Sequence, residues 1–136
     1  MIVVDTNVIA YSVLPGDRTA AALRLLEREP VWLAPPLWRS ELRNVLVTSV
    51  RTGRIDLPTA REAFQRAESL VRDFEVEPAT EDCLAIAISA GISAYDAEFV
   101  LAASRLGKRL VTADRRLVAA VPDLVIDLSQ VSALHP

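Results

Sequence analysis

The stretch Ile2-Val3-Val4-Asp5-Thr6-Asn7 decides the fold class. Three consecutive β-branched apolar residues form a strand without polar alternation, the pattern of a parallel strand covered on both faces. Asp5-Thr6-Asn7 then supplies polar residues suited to a turn into a helix. Similar apolar segments recur along the chain. Val31-Trp32-Leu33-Ala34 reads as a strand closed by Pro35-Pro36, and Arg109-Leu110-Val111-Thr112 as another, with Asp114 opening a short helix behind it. Val125-Ile126 reads as a last strand and Phe74-Glu75-Val76 as a weaker one.

Helical patterns fill the intervals. Asp17 is placed to cap a helix carrying Ala21, Ala22, Leu25 and Leu26. A long helix is expected from Leu37 to Arg51, with Trp38, Leu42, Val45, Leu46 and Ser49 on one face and Gly53 beyond its end. Pro58 suits the first turn of the next, in which Ala60, Phe64, Ala67 and Val71 keep the period. Thr80 begins a helix that stops at Gly91, and Ser93 begins one that reaches Leu106 before Gly107. Strands alternating with helices predict one α/β domain over residues 1–136, a parallel sheet with helices on both faces.

With 136 residues, 51% of them apolar and 24% charged, such a domain buries about two thirds of its unfolded surface. No apolar run approaches the roughly 20 residues that span a bilayer, and the first residues enter a strand with no basic n-region, so neither a membrane span nor a signal peptide is expected. The lone Cys83 has no disulfide partner and no zinc-type spacing, and within Cys83-Leu84-Ala85-Ile86 it reads as a core residue. A reducing cytoplasm fits. The net charge of −3 sits badly with a polyanionic partner, yet without four acids assigned to a cation site it would be +1. Fourteen of the fifteen basic residues are arginine, the side chain suited to bidentate phosphate contacts. Composition thus permits a nucleic-acid substrate without arguing for one.

Four acids stand out. Asp5 and Asp114 follow the first and the Arg109–Thr112 strands, and ligands of open parallel sheets bind beyond the carboxyl ends of strands; an aspartate there also serves as an ordinary cap. Asp96 shares a helical face with Phe99, Val100 and Ala103, an expensive place for a carboxylate without a partner. Ser93-Ala94-Tyr95-Asp96 has capping-box spacing as well, which does not by itself require an inward face. Glu41 lies about 60° off the stripe centred on Trp38, at the border of the apolar face, where a solvated glutamate is the simpler reading. Converging, the four would repel unless they bound a cation or raised their pKa values. Oxygen ligands select hard ions such as Mg²⁺ or Mn²⁺. His135, the only histidine, stands one residue from the end, which disfavours histidine acid–base and Ser-His-Asp chemistry and leaves metal-assisted hydrolysis.

These residues resemble the motifs of the PIN-domain family, and within it the VapC-like toxin ribonucleases of type II toxin–antitoxin pairs. Ile-Val-Val-Asp5-Thr6-Asn7-Val8 is similar to the first-strand motif, Pro36-Leu37-Trp38-Arg39-Ser40-Glu41-Leu42 to the glutamate helix, Ser93-Ala94-Tyr95-Asp96-Ala97 to the third acidic motif, and Leu110-Val111-Thr112-Ala113-Asp114-Arg115-Arg116-Leu117 to the fourth. The four run in order through essentially the whole chain.

The resemblance implies a five-stranded parallel sheet and an acidic pocket of Asp5, Glu41, Asp96 and Asp114. Asp5 and Asp96 would be direct metal ligands, Glu41 and Asp114 ligands through water or at a second metal position, and Thr112 and Asn7 polar neighbours of the metal shell. It further implies hydrolysis of RNA by a metal-activated water, leaving a 5′-phosphate and a 3′-hydroxyl, and a small VapB-like antitoxin partner. Arg39, Arg43, Arg51 and Arg54 are candidates for a phosphate track, or simply a solvated helical face. Leu23, Leu26, Val45 and Val47 overfill a single core, which makes a homodimer plausible. Two alternatives stay open: a non-catalytic module that keeps the pocket, and a phosphatase with Asp5 as nucleophile. The phosphatase is disfavoured because Asn7 stands where a second acid is usual and the only lysine, Lys108, precedes its strand.

Overall fold

The computed structural model describes residues 1–133. Five short strands, β1 (Ile2–Val4), β2 (Trp32–Ala34), β3 (Val71–Asp73), β4 (Leu110–Thr112) and β5 (Val125–Asp127), form one sheet in the order β3-β2-β1-β4-β5. Every neighbouring pair is parallel. The connections hold seven helices: α1 (Thr6–Val13), α2 (Thr19–Arg28), α3 (Leu37–Arg51), α4 (Leu57–Leu70), α5 (Thr80–Ala90), α6 (Ala94–Leu106) and α7 (Arg115–Ala120); a 3₁₀ segment, Leu128–Ala133, follows β5.

The central strands β1 and β2, and β4 up to Thr112, are apolar because both of their faces are covered. Val3, Val4, Trp32, Ala34, Leu110 and Val111 are wholly buried, as a sheet sandwiched between helices requires. Helix α1 packs against α2, α3 and α4, while α6 packs against α5, β1 and β4. The chain builds outward from β1 to β2 and β3, then returns to place β4 on the other side of β1. With right-handed crossovers, that reversal sends α1–α4 to one face and α5–α7 to the other. It also leaves a crevice beyond the carboxyl ends of β1 and β4, where strand order switches.

Helix ends follow local chemistry. Asp5, Asp56, Ser93 and Asp114 cap α1, α4, α6 and α7 by accepting from backbone N–H groups. Helices α5 and α6 end at Gly91 (φ 69°) and Gly107 (φ 62°), a left-handed conformation that glycine adopts without Cβ strain.

Three expectations need correction. The third strand is Val71–Asp73 and not Phe74–Val76: α4 runs into it without a loop, so Val71 satisfies the helical period and the strand at once. Asp17 is exposed and does not cap α2, whose N-cap is Arg18 without a side-chain bond. Cys83 is only partly buried, on a helix with no buried residue at all; Ile86 of α5 packs against the core while Leu84 and Ile88 face outward. His135 lies outside the described residues. No single helix among the described residues is long and apolar enough to cross a membrane.

Candidate active site

Burial singles out the crevice before any charge is considered. Among the described residues the buried polar side chains are Asp5, Thr6 and Thr112, and all three sit where β1 and β4 end. Buried polar groups must be paired, and the pairing joins opposite ends of the chain. Thr112 Oγ1 donates to Asp5 Oδ2 (2.8 Å) and accepts from Asn7 Nδ2 (3.2 Å) and from the Asp114 backbone N (3.0 Å). One donor and two lone pairs are thereby fully used. Asp5 Oδ1 accepts from the Thr6 backbone N (2.8 Å), and Ala113 N donates to Asn7 Oδ1 (3.2 Å). Thr6 Oγ1 donates to Glu41 Oε1 (2.8 Å), tying α3 to the start of α1.

Four carboxylates arrive on four elements: Asp5 at the end of β1, Glu41 on α3, Asp96 in the first turn of α6 and Asp114 at the cap of α7. They line a cavity of about 480 Å³ whose walls add the polar side chains of Thr6, Asn7, Ser40 and Asn44, with Tyr95, 63% exposed, also on its lining. The acids feel one another. Burial pushes the Asp5 carboxyl up to about 6, and the charges of Asp96 and Glu41 push the same way against the bonds from Thr112 and Thr6. Glu41 is raised by burial, with Asp96 and Glu98 adding to it, against the bond from Thr6. Asp96 is raised by burial and then by Asp114, against the Ser93 hydroxyl. The four thus form one repelling cluster.

The cap reading of Asp96 is half realised. Ser93 Oγ accepts from Asp96 N (3.0 Å), whereas the Asp96 side chain lines the cavity with the other acids. Asp114 does two things at once, since its Oδ1 accepts from Arg116 N (2.9 Å) and Leu117 N (3.4 Å) while its charge bears on Asp96.

The donor chemistry is oxygen only, which suits a hard divalent cation. Among the described residues no three or more His, Cys, Asp or Glu side chains close around a single point. The site therefore suits an ion held by one or two carboxylates with water completing its shell, the habit of Mg²⁺.

The arginines lie elsewhere. Arg39 Nε bonds Asp73 (3.1 Å) and its Nη1 bonds Glu68 (2.8 Å), with its guanidinium 4.8 Å over the Trp38 ring. Arg43 sits 5.3 Å over Phe64 and, with Arg51, lines a separate cleft of about 620 Å³ between α3 and α4. Arg54 is exposed in the turn after α3. None of the four lines the acidic cavity. Thr6 was not anticipated in the site; adjacency to Asp5 was its only signal, because its Glu41 contact spans 35 residues.

Comparison with known proteins agrees with this architecture. The chain is 28% identical over 127 residues to Ribonuclease VapC3 of Pyrobaculum aerophilum, covering 91% of this chain and 97% of that one. It is 33% identical over 79 residues to Exonuclease VapC9 of the same organism, covering 58% of this chain and 59% of that one. The crystal structure of PAE2754 from Pyrobaculum aerophilum superimposes with a TM-score of 0.78 at 23% identity, over 98% of this chain and 87% of that one, which is a likeness of fold. A family model described as PIN domain matches residues 2–122, and with most of its length so matched the chain belongs to the PIN domain family and is VapC-like within it.

Proposed function

We propose that this protein is an endoribonuclease dependent on Mg²⁺ or Mn²⁺, acting as the toxin of a VapBC-type pair in the cytoplasm. The observation that carries the proposal is the concentration of the buried polar side chains, Asp5, Thr6 and Thr112, where four mutually repelling carboxylates, Asp5 among them, meet. Structure alone gains nothing from such an arrangement, since each acid raises the cost of ionising the next. A hard cation removes that cost.

Asp5 and Asp96 would hold the ion directly, and Glu41 and Asp114 would act through water or complete a second position. A bound cation supplies a water acidified toward hydroxide and neutralises charge on the phosphate. The chain's own work is orientation: Thr112 fixes the Asp5 carboxylate, Thr6 fixes Glu41, and Asn7 ties the end of β4 to α1. The names of the two VapC relatives, one a ribonuclease and one an exonuclease, support a nuclease. Incubating the protein with RNA in Mg²⁺, Mn²⁺ or chelator, then mapping the ends, tests it. Internal cuts with 5′-phosphate and 3′-hydroxyl ends in either metal are expected. Terminal nibbling would assign an exonuclease instead, and no cleavage together with no Mn²⁺ binding by calorimetry would assign the non-catalytic module.

The phosphatase reading finds less support. Asn7 is spent bridging Thr112 and Ala113, and Lys108 precedes β4 at the end of the strand away from the crevice. For the partner, the cleft between α3 and α4 is apolar along Leu46, Val47, Leu57 and Phe64 and rimmed by Arg43, Arg51 and Arg61. That combination suits an acidic amphipathic segment of a VapB-like antitoxin. A homodimer finds its support on α5, where Leu84 and Ile88, 50% and 80% exposed, sit one turn apart. Light scattering on the purified chain distinguishes one copy from two.

A further inference from the structure

The acidic cavity does not end at its acids. A second depression of about 550 Å³ shares Asp96 and Asp114 with it and continues along α7. Its floor is built from small residues, among them Ala90, Gly91, Ser93, Ala119 and Ala120, so backbone-like ligands can lie close. Apart from the two shared acids, its one charged lining residue is Arg116. Arg116 is exposed and takes part in none of the ion pairs among the described residues. Its backbone is tied to one of the acids, because its N–H donates to Asp114 Oδ1 at 2.9 Å. The neighbouring Arg115 differs, since its charge bears on Asp127 at the end of β5.

We infer that the two depressions form one groove for a nucleic-acid strand, and that Arg116 binds the phosphate next to the one positioned at Asp96 and Asp114. The inference rests on the proposed nuclease reading and deepens it. A cleavage site of carboxylates cannot attract a polyanion by itself, and the arginines of α3 are engaged with Glu68, Asp73 and Phe64 or line another cleft. A guanidinium two residues beyond Asp114, in none of the ion pairs among the described residues, supplies the missing attraction. Arg116 is thus a substrate-positioning residue that touches a phosphate other than the reacting one.

The test uses the full chain carrying Asp5→Asn, to prevent cutting, and a short fluorescent oligoribonucleotide whose binding is followed against salt concentration. Adding Arg116→Ala should weaken binding about fivefold near 0.1 M salt and reduce the slope of log K against log salt by about 0.7. Arg116→Lys should keep the slope, and Arg115→Ala should leave both unchanged. In the cleaving protein, Arg116→Ala should raise KM for the oligonucleotide with little change in kcat, and should leave hydrolysis of a dinucleotide, which has no flanking phosphate, as it was. Equal binding with and without Arg116 overturns the inference while leaving the nuclease reading intact, and so does a matching loss on the dinucleotide. Absence of both RNA binding and RNA cleavage in the unmutated chain overturns both.

Discussion

Thr112 Oγ1 and Asp5 Oδ2 lie 2.8 Å apart across 107 residues of sequence, in a buried bond that joins the ends of β4 and β1. Because the hydroxyl also accepts from Asn7 and from the Asp114 backbone, one oxygen sets the position of two of the four acids. Thr112→Val keeps the shape and removes the oxygen. It leaves a buried acceptor and two donors short of a partner, and should cost about 1–3 kcal/mol in urea unfolding. Thr112→Ser should recover most of it. Equal stability of the Val variant would mean the bond does not organise the site.

Metal-free stability should depend on pH in a direction set by Asp5. Its folded pKa, about 6 against an ordinary 3.8, lies above its unfolded value. Its contribution is therefore fully present below about pH 4 and is lost as pH rises through 6, amounting to about 3 kcal/mol by neutrality. Glu41 and Asp96, both raised by burial, act in the same direction. Asp127 is held low by Ser129 and by Arg115 and Arg18, despite some burial, and opposes them as pH falls. Denaturation in chelator should show stability declining from about pH 5 to pH 7, with Mn²⁺ restoring it at the upper end. A rise over that interval would contradict the assignment.

Asp114 separates its two roles by substitution. Asp114→Asn retains an oxygen to cap α7 and removes the charge beside Asp96. Stability should hold to within about 0.5 kcal/mol, while the Asp96 pKa, followed by carboxyl-carbon NMR, should fall toward its ordinary range. Asp114→Ala should cost about 1 kcal/mol more through the lost cap. An unchanged Asp96 titration in Asp114→Asn would show that the two acids do not sense each other.

Arg39 should act on stability. It bridges Asp73 and Glu68 and lies over Trp38, whose Nε1 donates to Asp73 Oδ1 at 2.7 Å. Arg39→Ala should lower unfolding stability by about 1 kcal/mol, part of it from lost packing of the stem, and should leave the salt dependence of RNA binding unaltered. A shallower salt slope would return Arg39 to the phosphate track.

The layered architecture was legible because β1 and β2 are apolar throughout, β4 is apolar up to Thr112, and the helices carry clear caps at Ser93 and Asp114 and clear stops at Gly91 and Gly107. Val71–Asp73 was not legible as a strand: it begins where α4 ends, with the Val71 N–H still bonded to Ala67, and an edge strand of three residues carries no period of its own. Cys83 and Leu84 misled in the opposite way, because apolar residues on a helix do not say whether the helix is covered. Asp5, Asp96 and Asp114 could be suspected from strand ends and a helical face. Their convergence with Glu41 was implied only by the family resemblance, since contacts spanning 35 and 107 residues are set by the reversal of strand order and not by local pattern. The arginines of α3 failed to point at the cavity for a related reason: helical spacing gives a face, and only packing decides which neighbour that face meets.

The most direct measurement compares RNA cleavage in Mg²⁺ by the unmutated chain and by Asp5→Asn, with circular dichroism and thermal unfolding confirming that both are folded. Loss of the Asp5 carboxylate charge should reduce the single-turnover rate by at least about 10²-fold while Mn²⁺ affinity falls in parallel, in line with a charge that organises the reacting centre. A folded Asp5→Asn protein that cuts RNA at the unmutated rate would contradict the claim that the buried acid beneath Thr112 is the centre of the chemistry.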